Sequence, residues 1–334
     1  MVERNYPVGE DPKEKTSQSF VALIFPGQGS QFMGMGLELC NSSEAARHVF
    51  NEADDVLGFS LSKLIFEGPE EHLRNTVNSQ PAILTVSIAF LRAMEEALGY
   101  EMELPGAVEG HSLGQYTSGV AANVISFGDC VRLVRERGRL MQRASEDHPG
   151  GMAAILGLDE YALGQICLET GVEIANINSD EQIVLSGEKI AVARAMDLAS
   201  ARGASKTIPL SVSGAFHSSL MEGAREGLRE ALSNFKLRDP KIPIVANSNA
   251  EILTSADDVI REFVDGLCAP VRWRDGVRRM AHSGVTHFVE VGPGRVLSSL
   301  VRRIDNSVQA LTVNSLESIN KFVEFQQKLK TSPV

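Results

Sequence analysis

Ser112 lies in GHSLG, residues 110–114, with the spacing G-x-S-x-G. That spacing suits a nucleophilic serine on a tight turn between a strand and a helix. It suits equally well a small-residue turn with no chemistry. A serine hydroxyl attacks only when a base takes its proton, and the chain has seven histidines that could supply one. His111 is adjacent to Ser112 and would point away from it on a sharp turn. His217, in SVSGAFHSSLM, stands where the chain leaves one structural pattern and rejoins another, a placement suited to a cleft. A hydrogen-bonded structural histidine is the competing reading.

The segment CVRLVRERGRLMQRA, residues 130–144, carries a different signal. On a helix at about 100° per residue, Arg132, Arg135, Arg139 and Arg143 share one face. Cys130, Leu133, Val134, Leu140, Met141 and Ala144 share the other, with Arg137 in their midst. A guanidinium cannot shed its proton to escape desolvation, so a buried one calls for a carboxylate. That carboxylate belongs either to the protein, as an internal salt bridge, or to a ligand held bidentately.

Two glycine-rich loops invite a nucleotide reading and fail it. In GQGSQFMGMG (27–36) the last glycine of G-x-G-x-x-G is replaced by Phe32, and GPGRVL (292–297) fails similarly. A loop following a first strand either turns the chain or aims backbone N–H groups at negative charge, as an oxyanion hole does.

The elements that must position these residues follow from periodicity. FVALIF (20–25) has strand length and ends at Pro26-Gly27, and PAILTVSIAFLRAMEEAL (81–98) is apolar almost all round, as an interior helix opening at Pro81 would be. Residues 151–209 read strand, helix, strand, strand, helix, strand, the ferredoxin-like order. Strands and helices alternate in the flanking chain, including THFVEV (286–291), which predicts a mostly parallel sheet. The expected class is α/β: a large domain over 19–147 and 211–320 carrying a small ferredoxin-like subdomain over 148–210. Residues 1–18 are polar and charged, with no apolar core of a secretory signal, and are expected to form a flexible extension.

Composition narrows the classes. Of 334 residues, 43% are hydrophobic and 22% charged, with no apolar run long enough to predict a membrane span. Four scattered cysteines, without C-x-x-C, argue against a metal ribbon or a disulfide framework and fit a reducing cytoplasm. A net charge of −11 argues against nucleic acid as a partner. Residues 272–303 run the other way, with seven arginines against Asp275 and Glu290, and so could meet an acidic partner.

Together these segments resemble the malonyl-CoA:acyl carrier protein transacylase family, acyltransferases that load fatty-acid and polyketide synthases. The resemblance spans residues 19–315. It is carried by FPGQGSQ (25–31), QPA (80–82), GHSLG (110–114), ERGRLM (136–141), the Phe-His of GAFHS (214–218) and EVGPGRVL (290–297). It implies an α/β-hydrolase-like core with a ferredoxin-like subdomain. It implies Ser112 as nucleophile, His217 as general base, and the backbone N–H groups of Gln28 and Leu113 as oxyanion hole. Arg137 would bind the malonyl carboxylate, with Phe216, Gln80 and His111 completing the substrate site. Ping-pong transfer from malonyl-CoA to the phosphopantetheine thiol of acyl carrier protein follows, with no metal and no cofactor beyond these thioesters, in a monomer. A free-standing acyltransferase for a polyketide synthase, and a serine thioesterase or esterase, are the alternatives.

The sequence departs from the family pattern at four places. Gln115 replaces the usual Glu, Glu109 replaces a small residue, and Asp180-Glu181 replaces Pro-Gly. Arg272 stands where some members have a glutamine whose main-chain carbonyl orients the histidine.

Overall fold

FVALIF is buried from Ala22 to Phe25, as a strand covered on both faces must be, and forms β1 (Phe20–Phe25). The computed structural model describes residues 20–99 and 105–331, so the expected extension at 1–18 lies outside the described residues. The strands after β1 are β2 (Ala107–Gly110), β3 (Gly150–Leu156), β4 (Glu173–Ser179), β5 (Gln182–Glu188) and β6 (Lys206–Pro209). They are followed by β7 (Ile244–Val245), β8 (Ile252–Leu253), β9 (Val285–Val291) and β10 (Gln309–Val313).

The larger sheet runs β10-β9-β1-β2-β7-β8 and is parallel except for β8, which returns antiparallel to β7. The apolar helix Thr76–Ala97 packs against the helix Phe127–Asp147 beside this sheet. It begins five residues before Pro81, not at it: Asn78 and Ser79 donate to Asn75 O to make the first turn, and Pro81 sits within the helix. That start places Gln80 on a buried face.

The second sheet runs β4-β5-β3-β6, antiparallel throughout, which is ferredoxin-like order. The helices Glu160–Thr170 and Lys189–Ala201 cover it, closing a separate core that includes Ile155, Leu163, Ile166, Ile183 and Leu185. One isolated bridge, Asn176 with Val271, joins this small subdomain to the large one. Among the described residues, no helix is long and apolar enough to cross a membrane.

Candidate active site

β2 ends at Gly110 and the helix Gly114–Ala121 begins four residues later, so the chain reverses within HSL. The approach is too close for side chains. A Cβ on Gly110 would stand 1.8 Å from Gly114 C, and one on Gly114 2.2 Å from Phe25 O. Ser112 takes φ 52° at the apex, a left-handed conformation that a serine holds only when its surroundings impose it. Two amides impose it. Asn247 Oδ1 accepts the Ser112 N–H at 2.7 Å while its Nδ2 donates to Gly110 O at 2.8 Å. Gln115 Oε1 accepts the Gly110 N–H at 3.2 Å and its Nε2 donates to Val245 O at 2.8 Å. The second of these explains the departure at 115: an amide both accepts and donates, whereas an ionised glutamate could not bond Val245 O.

His217 is the other strained residue of the pair, at φ 57°. Its Nε2 lies 2.8 Å from Ser112 Oγ, and its Nδ1 lies 2.9 Å from Gly266 O and 3.1 Å from Ala269 O. Two carbonyls require a proton on Nδ1, which leaves the Nε2 lone pair aimed at the hydroxyl. Burial, then the Arg137 charge, then His111 pull the His217 pKa down to about 3, so the imidazole is neutral at physiological pH. The family expectation of a carbonyl at Arg272 does not match. The two acceptors come from the loop before it, and Arg272 instead donates its N–H to Asn247 O.

Arg137 is 3% exposed and faces no protein carboxylate among the described residues. Its Nη1 donates to Gln80 Oε1 at 2.7 Å, its Nη2 lies 3.3 Å from Ser112 Oγ, its plane approaches the Tyr116 ring at 5.2 Å, and its Nε has no partner. The internal salt bridge that the sequence left open is thereby excluded. Gln80 is fixed in turn by its Nε2 contact with Met141 Sδ at 3.3 Å.

The backbone N–H groups of Gln28 and Leu113 have no acceptor among the described residues, while the Gln28 side chain donates to Thr76 Oγ1. His111 turns to Asn178 Oδ1 at 2.9 Å and packs beside Trp273, 5.7 Å between ring centroids. Gln28, His111, Ser112, Phe216 and His217 line one cleft of about 550 Å³, with Arg74 and Val296 also on its wall. A hydroxyl bonded to a neutral imidazole, beside unspent amide donors and an unpaired cation, can move an acyl group through a serine ester.

The arginine-rich segment requires a correction. Arg272, Arg274, Arg278 and Arg279 pair with Glu160, Asp180, Glu251 and Asp275, and Arg302 donates to Ala310 O. These contacts pair most of the strip's charge within the chain, although Arg302 stays exposed and Arg278 partly exposed at the surface. Of the seven, only the side chains of Arg295 and Arg303 have no ion pair or hydrogen bond among the described residues. Sequence reasoning also missed Asn247 and Glu262, whose Oε1 accepts the Asn247 N–H at 2.7 Å. Glu262 was findable: it shares the buried face of its helix with Val259 and Phe263, the same criterion that picked out Arg137.

The sequence profile described as the acyl transferase domain matches residues 22–324. The malonyl CoA-acyl carrier protein transacylase of Bacillus subtilis (strain 168) is 43% identical over 311 residues, 92% of this chain and 97% of that protein. The crystal structure of an acyl-carrier-protein-S-malonyltransferase from Bartonella henselae superposes with a TM-score of 0.89 at 39% identity, covering 92% of this chain and 99% of that one. A malonyl-transacylase solved in complex with its type II polyketide synthase acyl-carrier protein gives a TM-score of 0.89 at 40% identity, covering 92% and 100%. A profile match over nearly the whole chain, at this identity and coverage, means that the protein belongs to the acyl transferase domain family.

Proposed function

We propose that this enzyme moves a malonyl group from malonyl-CoA to the phosphopantetheine thiol of an acyl carrier protein. The reading rests on Arg137, a buried cation within hydrogen-bond reach of Ser112 Oγ and without a carboxylate partner among the described residues. A dicarboxylic acyl group brings that carboxylate to the reacting carbon's side, and a substrate lacking it leaves the guanidinium unpaired. The relatives named for malonyl transfer support the choice of acyl group.

In this mechanism His217 Nε2 takes the Ser112 proton as Oγ bonds to the thioester carbonyl carbon. The carbonyl oxygen becomes an oxyanion between the Leu113 and Gln28 N–H groups. Ser112 N–H is already spent on Asn247, which leaves these two as the free donors. As the C–S bond breaks, His217 returns the proton to the CoA sulfur, leaving malonyl-Ser112. The carrier thiol then repeats the sequence, losing its proton to His217 and releasing Ser112 protonated. The route draws on protein groups alone, with malonyl-CoA and the carrier thiol entering as substrates. Phe216, 6% exposed on the cleft wall, limits bulk beside the acyl chain.

An acidic carrier is best met by Arg295 and Arg303, at the two ends of the helix Val296–Ile304 whose exposed Val296 reaches the cleft wall. The four free cysteines support a reducing compartment, the cytoplasm. Intact-protein mass spectrometry after incubation with malonyl-CoA tests the reading. One malonyl adduct on wild type and none on Ser112→Ala is expected. An adduct that persists in Ser112→Ala, or hydrolysis outrunning transfer when a carrier is supplied, refutes it.

A further inference from the structure

His217 takes its orientation from a loop. Gly266 O and Ala269 O, which hold its Nδ1–H, both lie between the helices Ala256–Asp265 and Trp273–His282. That loop is bound to the small subdomain in two ways. Its backbone pairs with β4: Ile177 N–H donates to Val271 O and Val271 N–H to Ala175 O, each at 2.8 Å. The helix that follows it is tied to the same subdomain by charge. Arg274 Nη2 is 2.9 Å from Glu160, in the first turn of the helix Glu160–Thr170, and its Nη1 is 3.4 Å from Asp180 in the β4–β5 turn. Arg278 Nη2 is 2.5 Å from Asp180, and Arg272 Nη1 is 3.4 Å from Glu160. Asp275 occupies remaining donors of Arg274 at 2.8 Å and of Arg272 at 2.6 Å.

An isolated exposed pair contributes little, but here one arginine, 13% exposed, serves three carboxylates in a shared network. Asp180 is also one of the residues at which this chain departs from the pattern of the family it resembles, so the anchor belongs to this sequence in particular.

We propose that Asp180 and Glu160, acting through Arg274 and Arg278, are positioning residues for His217. They hold the helix Trp273–His282, and with it the preceding loop and its two carbonyls, against the small subdomain, keeping Nε2 on the Ser112 hydroxyl. The proposal rests on Ser112 and His217 being the reacting pair.

The test uses the full chain and two acylating probes. Malonyl-CoA reports the limiting rate and apparent KM of Ser112 loading. Phenylmethylsulfonyl fluoride, which is uncharged, reports Ser112–His217 reactivity without any charged ligand. Asp180→Asn/Glu160→Gln is expected to slow both reactions about three- to tenfold, with the malonyl-CoA KM changed less than about twofold. Asp180→Glu restores the rate, and salt near 1 M brings the wild-type sulfonylation rate toward that of the double variant. Wild-type rates in the double variant, beside an inert Ser112→Ala control, overturn the proposal alone. Modification that survives in Ser112→Ala overturns the reading beneath it. Both replaced carboxylates are surface groups, at 36% and 56% exposure, and an unchanged melting temperature separates lost positioning from lost folding.

Discussion

Two arginines in this molecule are largely withdrawn from water, in opposite company. At the junction with the small subdomain, Arg274 touches Glu160, Asp180 and Asp275, and its charge is saturated by its own chain. Beside Ser112, Arg137 is more deeply buried and, among the described residues, touches a neutral amide, a hydroxyl and an aromatic ring. Burial is thus shared and partnership is not. A cation that the fold has satisfied holds the structure together, whereas one that the fold has left unsatisfied is held ready for a ligand. The same contrast separates the amides of the site. Asn247 spends its side chain on Ser112 and Gly110, while the Gln28 and Leu113 backbone N–H groups have no acceptor among the described residues.

The contrast can be broken in order of expected effect. Asn247 is saturated and should hold without reacting. Asn247→Ala therefore lowers the limiting rate of Ser112 loading by about ten- to a hundredfold while leaving KM nearly unchanged, since the elbow shifts and the acyl pocket does not. Stopped reactions read by mass spectrometry check this, and a rise in KM alone would place Asn247 in substrate binding. The two arginines should then respond with opposite signs in denaturant unfolding. Arg274→Met takes one of two arginine partners from each of Glu160, Asp180 and Asp275 and costs about 1 kcal/mol. Arg137→Met removes an unpaired buried charge at the loss of its hydrogen bonds to Gln80 and Ser112 Oγ, and raises stability by about 1 kcal/mol. A destabilised Arg137→Met would mean that its charge is already satisfied.

The smallest effect concerns Glu109, which is fully buried with neither carboxylate oxygen partnered and lies in the space that a Cβ on Gly276 would need. Burial, then the charges of Glu262 and Asp275, push its pKa well above the usual carboxylate range. Its contribution to stability is complete below the unfolded carboxylate value and drains as pH rises through the raised folded value. Glu109→Gln, neutral at every pH, should gain on wild type in melting temperature as pH rises above the unfolded carboxylate range. Parallel curves would show a partnered, ionised carboxylate at 109.

Much of this was legible beforehand, for identifiable reasons. Hydrophobic alternation and helical spacing between 151 and 209 outlined the small subdomain, because each element there buries one face against a neighbour close in sequence. Sheet order was not legible, and the two-residue strands β7 and β8 are too short to carry a pattern. Arg137 stood out because its helix periodicity contradicts its charge. The arginines at 272–279 misled for the converse reason: a count along the chain sees Asp275 but not Glu160, Asp180 or Glu251, which reach them only after folding. Asn247 escaped because its partners, Gly110 and Ser112, are more than a hundred residues away.

The central claim is that Arg137 waits for the carboxylate of the acyl group that Ser112 receives. Competition between equal concentrations of malonyl-CoA and acetyl-CoA, read as the ratio of the two adducts on Ser112, measures it directly. Wild type should carry malonyl almost exclusively, and Arg137→Met should lose that preference by about a hundredfold while still accepting acetyl. An unchanged malonyl-to-acetyl ratio in the variant would contradict the account.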